Sequence, residues 1–152
     1  MVGGSEVGKD LLEQLAKYGI KADAGGYLYK RQVELAQIVE QEIAPLLESV
    51  GLPRAAVEDG GLITSAGWAF TIPPGDDPPL VIHWHPTMEE AERLIHATAD
   101  NEQERAHTGR VVAGMRTMET ALAEVLRIHG YQVDQVPSAD GHRQRFEARI
   151  QR

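Results

Sequence analysis

The 152-residue sequence contains no cysteine and no long run of apolar residues. Without cysteine the chain can form no disulfide scaffold, thiol redox centre, cysteine nucleophile or zinc ribbon, and we expect a reducing, cytoplasmic environment. No stretch approaches the roughly 18 apolar residues that a membrane-spanning helix needs, and residues 1–9 lack the apolar core of a signal peptide. We therefore expect a protein that is neither exported by that route nor embedded in a membrane.

Positive charge is also scarce, because 15 basic residues are set against 23 acidic ones and the formal net charge is −8. Such a chain repels phosphate backbones and anionic membranes unless its basic groups are gathered on one face. The eleven arginines outnumber the four lysines, a bias typical of GC-rich bacterial genomes. We expect a bacterial protein for which general nucleic-acid binding is not the default function.

The length and the 42% hydrophobic content suit one globular domain. We assign this domain to residues 10–152, preceded by a flexible, glycine-rich N-terminal arm at residues 1–9. The sequence contains no phosphate-binding loop with its magnesium-binding Ser or Thr, no dinucleotide fingerprint and no Gly-x-Ser-x-Gly elbow. No residue is therefore assigned a catalytic role.

Apolar spacing predicts two helices in the first third of the chain. Asp10 is a suitable N-cap for a short helix through Tyr18, and Gly19 is a suitable left-handed terminator. A longer helical pattern runs from Leu28 to a stop at Gly51. Because Pro45 lies inside this pattern, the helix should kink or restart near Ala44.

A hairpin is predicted next, from one strand over Leu62–Ile72 and a second over Leu80–His85. The register that keeps the large apolar side chains on one face pairs Ile72 with Leu80, Phe70 with Ile82 and Trp68 with Trp84. On the other face this register sets Ala69 opposite His83 and Gly67 opposite His85. The two imidazoles therefore lie beside very small side chains.

The His83-Trp84-His85 tripeptide is the most specific chemical feature of the sequence. Alternate residues of a strand share a face, so both imidazoles point the same way at roughly 7 Å spacing. They could ligate zinc or another divalent metal, given a third ligand, or belong to a histidine-based enzyme with a pocket floored by Gly67 and Ala69. The competing interpretation is an exposed or interfacial strand face that tolerates histidine.

A capping box at Thr87–Glu90 predicts a further helix, and Asp100 or Asn101 is expected to cap a second one. A packing seam then follows alternating steps of four and three residues: Val111, Met115, Met118, Leu122 and Val125. A helix from Asn101 to His129 would be roughly 43 Å long, whereas a compact chain of this size has a radius of gyration of about 15 Å. We therefore predict that a second copy or another protein covers this seam.

The last hairpin is predicted from Tyr131–Val136 and Arg143–Ile150 around an Asp140-Gly141 turn. Its register sets Val133 opposite Ala148 and Gln135 opposite Phe146. The other face of this hairpin carries Asp134, Arg145, Glu147 and Arg149, which we expect to be solvated.

Basic charge is concentrated in this part of the chain, because residues 127–152 carry a net charge of +2 and residues 1–126 carry −10. Arg145 and Arg149 are therefore candidates for contacting an anionic partner. Nucleic-acid binding would need stacking aromatics on the same face. Phe146 lies on the opposite face, so we do not expect nucleic acid as the partner.

These elements predict an α+β fold with the order α-α-β-β-α(α)-β-β, in which two hairpins form an antiparallel sheet of about four strands packed against helices. The function we favour is a non-enzymatic interaction protein, a small acidic adaptor, chaperone-like protein or assembly factor that acts as a homodimer. Two alternatives remain open. One is the metal-dependent or histidine-based enzyme centred on His83 and His85, and the other is a regulator that contacts nucleic acid or phosphate through Arg145 and Arg149.

Overall fold

The computed structural model describes residues 8–58, 62–96, 101–137 and 144–151. The α-helices are α1 (Gly8–Ala16), α2 (Lys30–Ile38), α3 (Ala44–Ser49), α4 (Met88–His96) and α5 (Glu102–Ile128). The strands are β1 (Val57–Glu58), β2 (Leu62–Ile63), β3 (Gly67–Thr71), β4 (Leu80–His85), β5 (Gln132–Pro137) and β6 (Gln144–Arg149). The predicted α+β class is confirmed, with β1 and β2 as an additional short pair.

The main sheet has four antiparallel strands in the order β3-β4-β6-β5. In the first hairpin Trp68 pairs with Trp84 and Ala69 with His83, as predicted. In the second hairpin Val133 pairs with Ala148, also as predicted. The two hairpins are joined because β4 pairs with β6 from Leu80 to Ile82. The expected Asp140-Gly141 turn lies outside the described residues.

The core lies between one face of this sheet and the helices. Strand alternation directs the large apolar side chains of β3, β4 and β6 to this face, and all of them except Trp84 are buried. From the helices the core receives Leu15 and Tyr18 beside α1, Val39, Ile43 and Leu47 from the middle of the chain, and Leu122 and Leu126 from α5. The helices therefore cover one face, and the face that carries His83 and His85 is the opposite one.

The helix between Lys30 and Ser49 changes its winding before Pro45. Residues Val39–Ile43 form a π-helical segment, and α3 begins at Ala44. Proline has no N–H to donate to the carbonyl one turn earlier, and the wider π turn accommodates the missing bond. The predicted restart near Ala44 is confirmed.

The prediction of one continuous strand over Leu62–Ile72 is wrong. Leu62–Ile63 pairs with Val57–Glu58 in a separate two-stranded sheet, and β3 begins only at Gly67. At Gly67 the backbone has a φ of +155°, and an added Cβ would lie 2.5 Å from both the Pro53 oxygen and the Ala55 nitrogen. The strand is interrupted because the segment Pro53–Ala55 crosses directly over Gly67 and covers the outer edge of β3.

Two backbone hydrogen bonds hold this crossing segment. The Trp68 N–H donates to the Pro53 carbonyl at 3.0 Å, and the Ala55 N–H donates to the Trp68 carbonyl at 3.0 Å. The Arg54 guanidinium lies 4.9 Å from the centre of the Trp68 ring, a cation–π distance. The crossing segment is therefore fixed to β3 by both backbone and side chain.

Arg54 also connects β3 to the helices through a polar cluster in which only Tyr18 is buried. Its guanidinium donates to both carboxylate oxygens of Glu40 at 2.7 and 2.9 Å and to the Tyr18 hydroxyl at 3.0 Å. The Tyr18 hydroxyl in turn donates to Glu40. Burial, followed by the hydrogen bond to Glu40, raises the pKa of Tyr18, and the bond from Arg54 lowers the pKa of Glu40.

The polar interval before α5 interrupts the helical pattern, as predicted. Asn101 has extended backbone angles, and its side-chain oxygen accepts from the Glu104 N–H at 3.1 Å. Asp100, the other candidate cap, lies outside the described residues. From Glu102 the helix runs 27 residues without a break, which corresponds to about 40 Å.

At the other end of the chain, α1 begins at Gly8, two residues before the predicted cap Asp10. Residues 1–7 of the expected N-terminal arm lie outside the described residues. None of the described helices combines the length and the apolar character that crossing a bilayer requires.

We predict that Gly67→Ala lowers the free energy of unfolding by at least about 2 kcal/mol, because the new methyl group meets backbone that cannot move independently and the φ is unfavourable. Gly114→Ala is the matched control. Gly114 lies inside α5 with open space around it, so alanine there should raise stability by up to about 1 kcal/mol. Urea unfolding of both variants tests this, and equal stabilities would contradict it.

Candidate functional site

Helix α5 changes its surroundings along its length. In its C-terminal half Leu122, Ala123 and Leu126 are fully buried, and the helix contacts β4, β5 and β6. Over residues 102–119, which include its whole first half, no side chain is fully buried in the described structure. The helix therefore begins outside the core and enters it only near Leu122.

The predicted interface residues divide along the same boundary. Val111, Met115 and Met118 are half-buried, and among the described residues they neither belong to the core cluster nor pack against it. Val125 is half-buried and packs against the core. Leu122 is 0% exposed, so its assignment to an interface is wrong: at its level α5 crosses the sheet, and the chain itself encloses the side chain.

Helix α4 approaches the first half of α5 through a hydrogen bond between side chains. The Thr87 hydroxyl accepts from the Glu90 N–H at 3.2 Å, which confirms the predicted cap. The Glu90 carboxylate does not return to the backbone of Thr87. It contacts Nε2 of His107 at 2.5 Å instead. His107 is consequently half-buried.

A strip of small residues runs along the exposed side of the same half-helix. It consists of Ala106, Gly109, Ala113, Gly114 and Thr117, all exposed, and we call it the small-residue strip. Nothing lies within 4 Å of a Cβ built on Gly109 or Gly114. Each glycine costs the helix about 1 kcal/mol relative to alanine, and no contact within the described chain requires either of them.

The paired histidines lie on the opposite face of the sheet, as predicted. The ring centres of His83 and His85 are 6.0 Å apart, with the ring planes inclined at 38°. Both rings line a cleft of about 180 Å³ between β3, β4 and the end of α1. Ala16, Lys17, Ile63, Ala69 and Thr71 also line this cleft, which we call the imidazole cleft.

Part of the predicted lining of the pocket is thus confirmed. Ala69 does lie in the floor of the imidazole cleft, but Gly67 is not among the described residues that line it. Gly67 instead allows the Pro53–Ala55 crossing described above. The Ser65 hydroxyl accepts from the Ala56 N–H at 2.8 Å, which connects it to the segment that crosses β3.

Both imidazoles are held in the neutral form at neutral pH. Burial, assisted by His85 and Arg145, lowers the pKa of His83 to about 4. Burial also lowers the pKa of His85. Neutral imidazoles can coordinate a metal, yet the described residues contain no group of three or more His, Asp or Glu side chains placed to hold one. The binding of zinc or another divalent metal therefore stays a prediction, for which the described residues offer His83 and His85 as two ligands.

The two arginines predicted to contact anions have partners within the chain. Arg145 donates to the Glu147 carboxylate at 2.6 Å, and Arg149 donates to the Asp77 carbonyl at 2.7 Å. Glu147, expected to be solvated, is only 8% exposed, because Arg145 closes over it at the sheet surface. Phe146 is buried on the other face, as predicted, so the arginines have no stacking aromatic beside them.

A contact missed by sequence reasoning lies where the two hairpins separate. Pairing between β4 and β6 ends at Ile82, and beyond it the Trp84 N–H donates to the carboxylate of Glu119 at 3.1 Å. One turn earlier on α5, Arg116 donates to the Gln144 carbonyl of β6. Burial raises the pKa of Glu119, while the hydrogen bond from Trp84 and the charge of Arg116 oppose this.

Neither Glu119 nor Lys17 carries a local signal for its position. Glu119 is 35 residues from Trp84 in sequence, and Lys17 is separated from the histidines by α2, α3 and the first three strands. Both contacts depend on how helices pack on the sheet, which side-chain periodicity does not encode.

Comparisons with protein-family profiles, with curated proteins and with solved structures found no match for this chain. Its function must therefore be inferred from its own residues.

We predict opposite outcomes for two substitutions of Glu119. An acid whose pKa is raised in the folded chain favours folding while protonated, and this contribution is lost as the pH rises above 4.5 through the folded pKa. Glu119→Gln keeps an oxygen for the Trp84 N–H without the buried charge, so its unfolding free energy at pH 8 should equal or exceed that of the wild type.

Glu119→Ala removes the acceptor and should cost about 1–2 kcal/mol, because a buried N–H is left unpaired. Urea unfolding at pH 6 and pH 8 measures both effects. A glutamine variant that is clearly less stable than the wild type at pH 8 would show that the charge stabilises the fold.

Proposed function

We propose that this chain is a non-enzymatic protein-interaction protein that acts as a homodimer through the first half of α5. The observation that carries the proposal is the contrast within one helix. Leu122 and Leu126 are enclosed by the chain's own core, whereas Val111, Met115 and Met118 stay half-exposed on a segment that extends beyond it.

The physical reason is the area that remains available for burial. Each Å² of apolar surface removed from water contributes about 25 cal/mol, and the three side chains lie on one stripe at helical spacing, so one partner can cover all of them. Methionine is unbranched and flexible, which suits it to surfaces formed by association.

A second copy of the chain is the simplest partner for this stripe, because a two-fold axis across the helix would bring Val111, Met115 and Met118 of both copies together. The small-residue strip lies on a different side of the helix, since Gly109 is turned by about 120° from Met115.

The charges of the half-helix agree with an antiparallel pair. α5 begins with Glu102 and Glu104, and Arg110 follows in the middle of this half. In an antiparallel arrangement the acidic first turn of one copy lies toward the arginine-bearing turns of the other, where opposite charges fix orientation and register.

Within this proposal the protein is an acidic adaptor, chaperone-like protein or assembly factor in the cytoplasm, and dimerisation creates its working surface. The net charge of −8 keeps the assembled form soluble and disfavours acidic partners. The nucleic-acid alternative receives less support, because Arg145 and Arg149 are held by partners within the chain. The alternative of an enzyme centred on His83 and His85 stays open.

We predict that the wild type has twice its chain mass of 16.7 kDa in sedimentation equilibrium at micromolar concentration. Met115→Glu combined with Met118→Glu should convert it to a monomer, because two charges cannot be buried unpaired at the contact. Ile128→Glu is the matched control, since Ile128 is 78% exposed at the far end of the same helix. It should leave the dimer unchanged.

A second pair of variants separates dimerisation from folding. Gly109→Leu and Gly114→Leu have open space in the isolated chain, so the unfolding temperature of the monomer should stay equal or rise. Because Gly109 lies off the stripe of Val111, Met115 and Met118, Gly109→Leu should leave the dissociation constant of the dimer within about twofold of the wild-type value. A monomeric wild type, or a Met115→Glu and Met118→Glu variant that dimerises normally, would refute the proposed dimer.

A further inference from the structure

The imidazole cleft lies on the sheet face opposite α5 and plays no part in the proposed dimer. Its described lining combines two kinds of surface. Ala16, Ile63 and Ala69 are apolar, whereas Lys17, Thr71, His83 and His85 offer N–H, ammonium or hydroxyl groups. A volume of about 180 Å³ is below the roughly 300 Å³ of sites for drug-sized molecules. The cleft therefore suits a ligand of few heavy atoms.

The charges around the cleft favour an anion over a cation. Lys17 lines it directly, and the Arg145 charge acts on His83 from β6. Glu147 binds Arg145 and offsets part of its charge, whereas Glu40, which also interacts electrostatically with Lys17, is held by Arg54. The described residues that line the cleft include no Asp or Glu.

We propose that the imidazole cleft binds a small organic carboxylate, whose anionic end faces Lys17, His83 and His85 and whose apolar end lies against Ala69 and Ile63. A carboxylate has acceptor oxygens for the ammonium of Lys17 and for an N–H of each imidazole, so charge and hydrogen bonding act together. Ala69 lies on β3 and pairs with His83 of β4. Its small side chain leaves the space that the ligand would occupy.

The experiment is a titration of the full chain with sodium propionate, followed by the imidazole Cε1–Hε1 resonances in NMR spectra. A ligand of this size should bind with a Kd on the order of 1 mM. We expect the resonances of His83 and His85 to shift with saturation, while that of His96, exposed at the end of α4, does not. Inorganic phosphate and Zn²⁺ serve as parallel probes.

Matched variants locate the site. Ala69→Leu fills the cleft and Lys17→Gln removes its ammonium, and each should weaken propionate binding at least about fivefold. Lys30→Gln is the charge control, because Lys30 is 89% exposed on α2 and pairs with Glu34. For each variant, the dispersion of the NMR spectrum shows whether the fold is intact. The titration of the wild type tests the proposal without any variant.

Three results would overturn the proposal. The first is that propionate leaves the His83 and His85 resonances unmoved. The second is a response to Zn²⁺ alone, which would make the cleft a metal site with two histidine ligands. The third is equal propionate affinity in the Lys17 and Lys30 variants. None of these results bears on the mass of the protein in solution, so the dimer proposal stands or fails separately.

Discussion

The close approach of residues 53–55 to Gly67 is the constraint on which the rest of the structure depends. Without a side chain at Gly67, the Pro53–Ala55 backbone can bond to both polar groups of Trp68 and cover the outer edge of β3. The same approach brings Arg54 over the indole and within reach of Glu40 and Tyr18. One contact thus connects the sheet, the π-helical segment and the end of α1, and it fixes where α1 lies relative to the sheet.

The position of α1 has consequences on the opposite face. Lys17 follows the last residue of α1 and precedes Tyr18, which is anchored by Glu40 and Arg54. Anchoring Tyr18 places Lys17 at the imidazole cleft, beside histidines that the hairpin register has already set on one side. The cleft therefore results from two independent features of the structure: the alternation of side chains along the strands and the polar cluster at Arg54.

Helix α5 relates to the sheet in a different way. Its second half is enclosed because it crosses β4, β5 and β6, while Glu119 and Arg116 satisfy the backbone where the hairpins diverge. Beyond that divergence the sheet no longer supports the helix, so the half-exposed methionines begin at the level where β4 and β6 separate. The proposed dimer surface thus follows from the length of the strand pairing as much as from the helix itself.

Much of the fold could be predicted because its signals are local. The alternation around Trp68 and Trp84 predicted the register of the first hairpin, Pro45 predicted the restart at Ala44, and Asn101 predicted the start of a second helix. The errors have two causes. The strand break before Gly67 and the burial of Leu122 depend on contacts between separate elements of the fold, whereas Glu147 is covered by Arg145, two residues earlier on the same strand.

The amino-acid sequence alone determined which side chains share a face, since a repeat of two or of 3.6 residues is a property of the backbone. It thereby placed His83 beside His85 and aligned Val111 with Met115 and Met118. Only the tertiary structure decided which of these faces is covered and by what. A side chain is buried when another part of the chain packs against it, as the sheet does beneath Leu122. Lys17 likewise lies at the cleft because of how its segment packs. The periodicity within one element specifies neither contact.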